Sequence, residues 1–330
     1  MAKNAMPWEH MKREVLVRKE SKTNKSYGCD PQKRTVEQLK EYGIINVDKP
    51  RGPSSHQVSA YVQKILGIQK SGHSGTLDPK VTGVLPVALG RGTRIVQALL
   101  VAGKEYICVM HLHDQVEDEK IKETLKRFVG KIKQLPPIKS AVKRQWRYRK
   151  IYYIEVLDII DQDVLFKIGC QAGTYIRKFC HDMGTEFGVG AHMAQLRRTK
   201  AGPFSEETVV PLVDLQDAFT FYKEDKSETW MKRIIQPIEN GIGHLPKVWV
   251  VDSTVDSLCH GADLAVPGIS RVESDIQLDE MVAILSLKGE LIALGDSRMI
   301  SKDMQTKKRG IAITTSKVFM LPGTYPKIPK

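Results

Sequence analysis

The segment SGHSGTLDPKVTGVLPVALGRGTR, Ser71 to Arg94, carries one carboxylate, Asp78, among glycines, prolines, hydroxyls and cations. The loop brings His73, Ser74 and Thr76 but no second carboxylate, so it does not offer the paired acid and base of a glycosidase. A lone aspartate suits a nucleophile or a single base instead. The competing account is turn chemistry, since Asp-Pro is a turn dipeptide and Gly72, Gly75 and Gly83 supply permissive backbone.

Other reactive side chains point to less. His111 and His113 stand two apart in a β-rich run and face the same way, yet two imidazoles fall short of a metal ligand set, and no metal is expected. Cys180 and His181 are adjacent in a helical run and face apart, which removes a thiol–imidazole dyad. Lys139, Lys143, Arg144, Arg147, Arg149 and Lys150 are interleaved with Trp146 and Tyr148, a mixture that suits an RNA backbone with stacked bases. A solvated charged face is the other account of that cluster.

These residues need elements to hold them. GIINVDKP reads as a short apolar strand leading into a Pro/Gly turn. In SSHQVSAYVQKILG the apolar residues Val58, Tyr61, Val62, Ile65 and Leu66 recur at helical spacing, with Ser54 or Ser55 as N-cap and Gly67 as C-cap. After the Asp78 loop, VLPVALG reads as a buried strand, TRIVQALLVA as a helix and KEYICVMHLH as a strand. A helix over VEDEKIKETLKRFVG stops at Gly130. IYYIEVLDII and DVLFKIGC form a hairpin turning at Asp161 to Asp163, and TYIRKFCHDMGTEFG is a helix capped by Thr174. From about residue 247 the pattern becomes a small β-barrel-like module, with a hairpin at Lys288 and Gly289. Residues 1–40 read as a basic, poorly periodic arm. Irregular alternation of strands and helices predicts an α+β fold on a mixed, mainly antiparallel sheet.

The chain has 330 residues, 41% hydrophobic and 27% charged, enough for a sizeable core and two domains. Lys plus Arg number 51 against 38 Asp plus Glu, giving a net charge of +13 that favours a polyanionic partner, nucleic acid first. Five scattered cysteines without a CxxC pair imply a reducing environment rather than a disulfide framework. No segment has an export h-region or the length of an apolar membrane span, so a cytoplasmic protein is expected, nucleolar in a eukaryote, with no membrane association.

The loop HSGTLDPKVTGVLPVALGRGT closely resembles the catalytic motif of the TruB family of pseudouridine synthases. GIINVDKPRGPSSHQV is similar to that family's first motif, KEY to its tyrosine motif, GTYIRKF to its arginine motif and LRRT at 196–199 to its last signature. PPIKSAVKRQWRYRKIYYIEVLDI and the terminal β module resemble the dyskerin branch, whose members end in a PUA RNA-binding domain. Lacking long Lys-rich tails, the chain resembles the shorter archaeal form.

The resemblance implies an RNA uridine isomerase that needs no cofactor. It places the catalytic aspartate at Asp78, the partner cation at Arg177, and the ring that stacks on the flipped base at Tyr106. It also places Tyr175 on the other side of the base, Leu196 in an apolar wall, and His73 against the opened RNA. It implies a catalytic domain over 41–246, a PUA domain over 247–330 and an arm over 1–40 packed on the latter. It further implies work on ribosomal RNA in a box H/ACA ribonucleoprotein, with a guide RNA, a small zinc-ribbon protein, a glycine-rich small protein and a kink-turn-binding protein of the ribosomal type. Two alternatives stand beside it: guide-independent modification of the tRNA T-loop, and a non-catalytic RNA scaffold.

Overall fold

A computed structural model describes residues 4–136 and 143–327. The helix Ser55–Leu66 forms as its spacing requires, burying Val58, Val62 and Leu66 while Tyr61 stays at the surface. Of the two candidate caps, Ser54 does the work: its side chain accepts from the Gln57 N–H, and Gln57 returns the bond to the Ser54 N–H. Gly67 closes the other end in the left-handed region at φ +63°.

This helix lies on a sheet of ten strands, whose central path runs Gln236–Pro237, Gly43–Lys49, Thr82–Leu89, Ala191–Ala201, Lys104–Leu112, Asp163–Cys170, Arg147–Ile160 and Gly130–Gln134. Among the described residues the pairing here is antiparallel except where Thr82–Leu89 meets Ala191–Ala201, with Gly83 opposite Arg198. Gly83 has φ +103°, and a Cβ there would collide with the Arg198 carbonyl, so glycine alone admits the junction. The fold is α+β with a mixed, mainly antiparallel sheet. On one face of Lys104–Leu112, the residues Cys108, Met110 and Leu112 are buried against Ile176, Phe179, Cys180 and Met183 of the helix Ile176–Phe187.

That helix starts one residue later than the sequence pattern suggests. Tyr175 is its N-cap residue, and the Thr174 hydroxyl donates instead to the Gln171 carbonyl at 2.7 Å. Thr174 is therefore spent on the preceding turn and does not cap the helix. The end of the segment 1–40, assigned by its composition to an extended arm, enters a short helix, Val36–Tyr42, with a Thr35/Gln38 capping box. The strand Ala191–Ala201 has no clean alternation in sequence because two register shifts against Lys104–Leu112 interrupt it, one around Ala194 and one around Thr199.

A second sheet of seven strands gathers the chain from Lys247 to Val318 together with Val15–Val17, which pairs antiparallel with Ile269–Glu273. The arm also reaches the first sheet: Met6 is fully buried beside Tyr153 and Gly103, and Glu9 pairs with Lys200 at 2.7 Å. One apolar core serves both sheets, joining Ile44, Val84, Phe204 and Ile238 to Ala283, Leu285, Leu291 and Phe319. At its edge Glu239 accepts both arms of the Arg34 guanidinium at 2.7 and 2.8 Å and the Leu291 N–H at 2.9 Å.

Both members of that pair are nearly buried, with side chains 8% and 11% exposed. Arg34→Met strands the carboxylate, and unfolding in urea should show a loss of about 3 kcal/mol or more. A change below about 1 kcal/mol would mean that Glu239 is held by Leu291 alone.

Candidate active site

The loop around Asp78 is held by its backbone. Ser55, at the start of its helix, accepts the Leu77 N–H at 2.8 Å and donates to the Leu77 carbonyl at 3.2 Å. Lys49, at the end of the Gly43–Lys49 strand, is completely buried and donates to the carbonyls of Pro50 (2.9 Å), Pro79 (3.2 Å) and Val81 (2.8 Å). Arg198, also buried, donates to Val84 O at 2.7 Å and to Gly75 O at 3.2 Å. The Pro79 carbonyl also takes the Gly52 N–H, and the Val81 N–H closes a turn onto Asp78 O, both at 2.9 Å. The neighbours of Asp78 are thus fixed while its side chain, half exposed, is left free to point outward.

That carboxylate is paired with Arg177, from the first turn of the helix Ile176–Phe187. Asp78 and Arg177 share a cleft of about 950 Å³ with Arg51, Lys80, Ile107, Val109, Leu165, His192, Leu196 and Arg197. The wall is therefore cationic around one acid. Arg197 is itself fully engaged, with both terminal nitrogens on Asp48 at 3.0 and 3.1 Å and Nε on Glu206 at 2.5 Å. An ion pair as exposed as Asp78–Arg177 contributes only about 0–1 kcal/mol to folding.

The structure brings Asp78, Arg177 and Leu196 into one cleft, but not every residue expected beside them. Tyr106 alternates with Cys108 and Met110 and packs, partly buried, against their core, whereas its neighbours Ile107 and Val109 face the cleft. Burial pushes the Tyr106 hydroxyl up, and the adjacent Arg198 charge opposes this. Tyr175 is half-buried, its backbone clamped by the Gln134 side-chain amide at 3.1 and 3.3 Å. His73 lies on the strand Ser71–His73, with its ring edge-on to His56 at 4.7 Å. Burial first, then His56 and Arg198, push His73 down to about 4, so its imidazole is neutral near pH 7.

Lys139 lies outside the described residues. Lys143 and Arg144 are exposed, and Arg147 and Arg149 stand on the ribbon that pairs Gly130–Gln134 with Arg147–Ile160. There Trp146 and Tyr148 are exposed, with Lys133 and Lys131 stacked over their rings at 5.0 and 4.2 Å. Among the described residues no His, Cys, Asp or Glu group is disposed to hold a metal ion, and all five cysteines are free thiols.

Sequence reasoning missed the clamps. Lys49 had one usable signal, a lysine at the end of a largely apolar strand just before a Pro/Gly turn, and Ser55 was visible only as a rival cap. Burial lowers the Lys49 ammonium's pKa, and the Arg198 charge adds to this. Lys49→Met removes the ammonium donor from the Pro50 and Val81 carbonyls and leaves Pro79 with the Gly52 N–H alone, and it should cost about 2 kcal/mol in stability. It should also cost at least about tenfold in single-turnover rate, because small displacements of a reacting group are expensive. A variant with wild-type melting and rate would show that the loop does not depend on this lysine.

Residues 63–176 match the TruB family pseudouridylate synthase (N terminal domain), and residues 177–242 the tRNA pseudouridylate synthase B C-terminal domain. Residues 3–59 match the DKCLD (NUC011) domain and residues 246–319 the PUA domain. The curated relative "Probable tRNA pseudouridine synthase B" of Methanopyrus kandleri is 53% identical over 96% of this chain and 93% of its own. The protein of the same name in Pyrococcus furiosus is 54% identical over 96% of this chain and 94% of its own. A chain in the crystal structure of a Cbf5-Nop10-Gar1 complex superposes with a TM-score of 0.95 at 52% identity, covering 99% of this chain and 100% of that one. A chain in the structure of an H/ACA RNP bound to a substrate RNA containing 2'-deoxyuridine gives 0.92 at 51% identity, covering 98% and 99%. With a lone aspartate and its arginine at the mouth of a basic cleft, and with identity of this extent along nearly its whole length, the chain belongs to the TruB family of RNA pseudouridine synthases.

Proposed function

We propose that the protein is the catalytic subunit of a guide-RNA ribonucleoprotein that isomerises uridine in ribosomal RNA, with Asp78 as its catalytic carboxylate. The observation that carries the assignment is the Asp78–Arg177 pair, made between residues 99 apart in sequence and facing a cationic cleft. The isomerisation breaks the bond from the base nitrogen to the sugar, turns the base and rebuilds the bond at carbon; that carbon loses a proton and the nitrogen gains one. Nothing is consumed, so the site must hold both fragments. Asp78 acts at the sugar, as nucleophile or as base, and Arg177 orients it. Leu196, with Ile107, Val109 and Leu165, gives an apolar wall for a base taken out of its stack.

The ribonucleoprotein setting rests on the likeness to the chains found in Cbf5-Nop10-Gar1 and H/ACA assemblies. On this reading the partners are a box H/ACA guide RNA, a small zinc-ribbon protein, a glycine-rich small protein and a kink-turn-binding protein of the ribosomal type. The domain over 41–246 does the chemistry, the terminal module over 247–330 and the arm over 1–40 anchor the guide, and Lys143, Arg144, Arg147 and Arg149 extend the RNA surface. A second reading, unguided action on tRNA, is favoured by the relatives' shared name, probable tRNA pseudouridine synthase B. A scaffold without activity would have no need of Asp78 and Arg177 in one cleft.

Asp78→Asn keeps size and removes charge. Tritium release from base-labelled uridine should fall by at least about a thousandfold while RNA affinity stays within threefold. Residual turnover within about tenfold of wild type would defeat the assignment. Comparing release from a ribosomal fragment with guide and partners against release from a tRNA transcript without them separates the two readings. Turnover on the tRNA alone would favour the second.

A further inference from the structure

Three histidines gather at one end of the sheet face that forms the cleft floor. The sheet register puts Asp163, His111 and His192 directly opposite one another on three adjacent strands, so all three project from the same face. His111 Nδ1 is 2.8 Å from Asp163 Oδ1, and the His111 and His192 rings lie 5.2 Å apart. His113, two residues on from His111, brings Nε2 to within 3.0 Å of His192 Nδ1. Its place is built in: Gly190 has φ +78°, its carbonyl takes the His113 N–H at 3.0 Å, and a Cβ there would lie 2.8 Å from His113 Nδ1. Because His113 and His192 turn nitrogens on each other, the rings do not converge on a point that a metal ion could fill.

The cluster continues the cleft. His192 is in the cleft wall, and Ile107, Val109 and Leu165, on the same face as His111, form the floor beneath it. His111 stands four residues beyond Ile107, about 13 Å along the strand. Among the described residues the other charged groups on this face are Asp163, which accepts from His111, Asp158, opposite Leu165 and accepting the Ile159 N–H at 2.9 Å, Lys167, paired with Glu155 at 3.2 Å, and, in the cleft, Asp78 with its partner Arg177 and the cations Arg51, Lys80 and Arg197. Asp114, beside His113, spends its carboxylate on the Gln115 N–H at 2.8 Å. Asp163 is thus the acid in direct contact with the histidines, and a proton added to the His113–His192 pair leaves a net cation at the end of a cationic groove.

We infer that His111, His113 and His192 form a phosphate contact for the RNA strand lying in the cleft, one that engages the backbone when the cluster is protonated. The inference rests on the cleft being the seat of substrate RNA, as proposed above. Imidazole is the side chain whose charge changes between pH 5 and 8, and each phosphate neutralised on a single strand adds to the salt dependence of binding. The contact tightens substrate binding as the solution becomes mildly acidic. It lies away from Asp78 and supplies no group to the reacting base.

The test is equilibrium binding of the full chain to a tRNA transcript between pH 8 and pH 6 over a salt series. Wild type should bind about fivefold tighter at pH 6, with a logarithmic salt slope steeper by about 0.7, the increment for one added phosphate contact on a single strand. His73 and His244 do not blur this window, since burial holds both down to about 4. The triple variant His111→Gln, His113→Gln, His192→Gln should lose the pH effect and the added slope. His192→Gln alone, at an exposed side chain, should lose at least half of the effect and serves if the triple variant folds poorly. An unchanged pH effect in both variants, or none in wild type, would overturn the contact. Because the readout needs no turnover, a wild type that binds with this signature but releases no tritium would count against the functional reading and leave the contact standing.

Discussion

Lys49 and Arg198 are buried cations with backbone carbonyls as their hydrogen-bond acceptors, and the Asp78 loop is built on them. Burying a charge is costly unless its donors are satisfied. Lys49 satisfies its own with Pro50, Pro79 and Val81, and Arg198 uses Val84 and Gly75. The cost thereby becomes a constraint: the loop cannot move without stranding a buried charge. Ser55 adds a reciprocal pair of bonds at Leu77. The side chain of Asp78 itself takes no part in this framework, so a strong scaffold presents a carboxylate that contributes little to the scaffold.

The same junction explains the glycine and the bulges. Thr82–Leu89 and Ala191–Ala201 meet in parallel only because Gly83 admits the Arg198 backbone. The irregularities at Ala194 and Thr199 bracket the residues that set Leu196 and Arg197 at the cleft and Arg198 beneath it. Gly190 plays a comparable part for His113. Backbone permissiveness at a few positions thus decides which side chains share the cleft.

Much of this was legible in the sequence. The helix over residues 55–66, the hairpins at 161–163 and 288–289, and the terminal β module follow from periodicity and turn residues. The lone Asp78 in a cation-rich loop announced itself by composition. What could not be read were features set by contacts distant in sequence. The capping role given to Thr174 failed because its hydroxyl is taken by Gln171, and the strand at 191–201 was hidden by its own bulges. Lys49 reads as a surface lysine until the loop that it grips is seen. His192 is unremarkable in sequence and becomes the third member of a cluster only through the register of three strands. The apolar core joining both sheets has the same origin: Gly43–Lys49 and Thr82–Leu89 are buried on both faces, and only contacts distant in sequence decide which face meets the second sheet.

If Asp78 acts as a carboxylate held in register by Arg177, the single-turnover rate of Arg177→Lys at saturating RNA must show it. Lysine keeps the charge but not the planar guanidinium. The rate should fall at least about a hundredfold below wild type with RNA affinity within about threefold, because the pair matters to the reacting geometry and little to folding. A wild-type rate in that variant would contradict it.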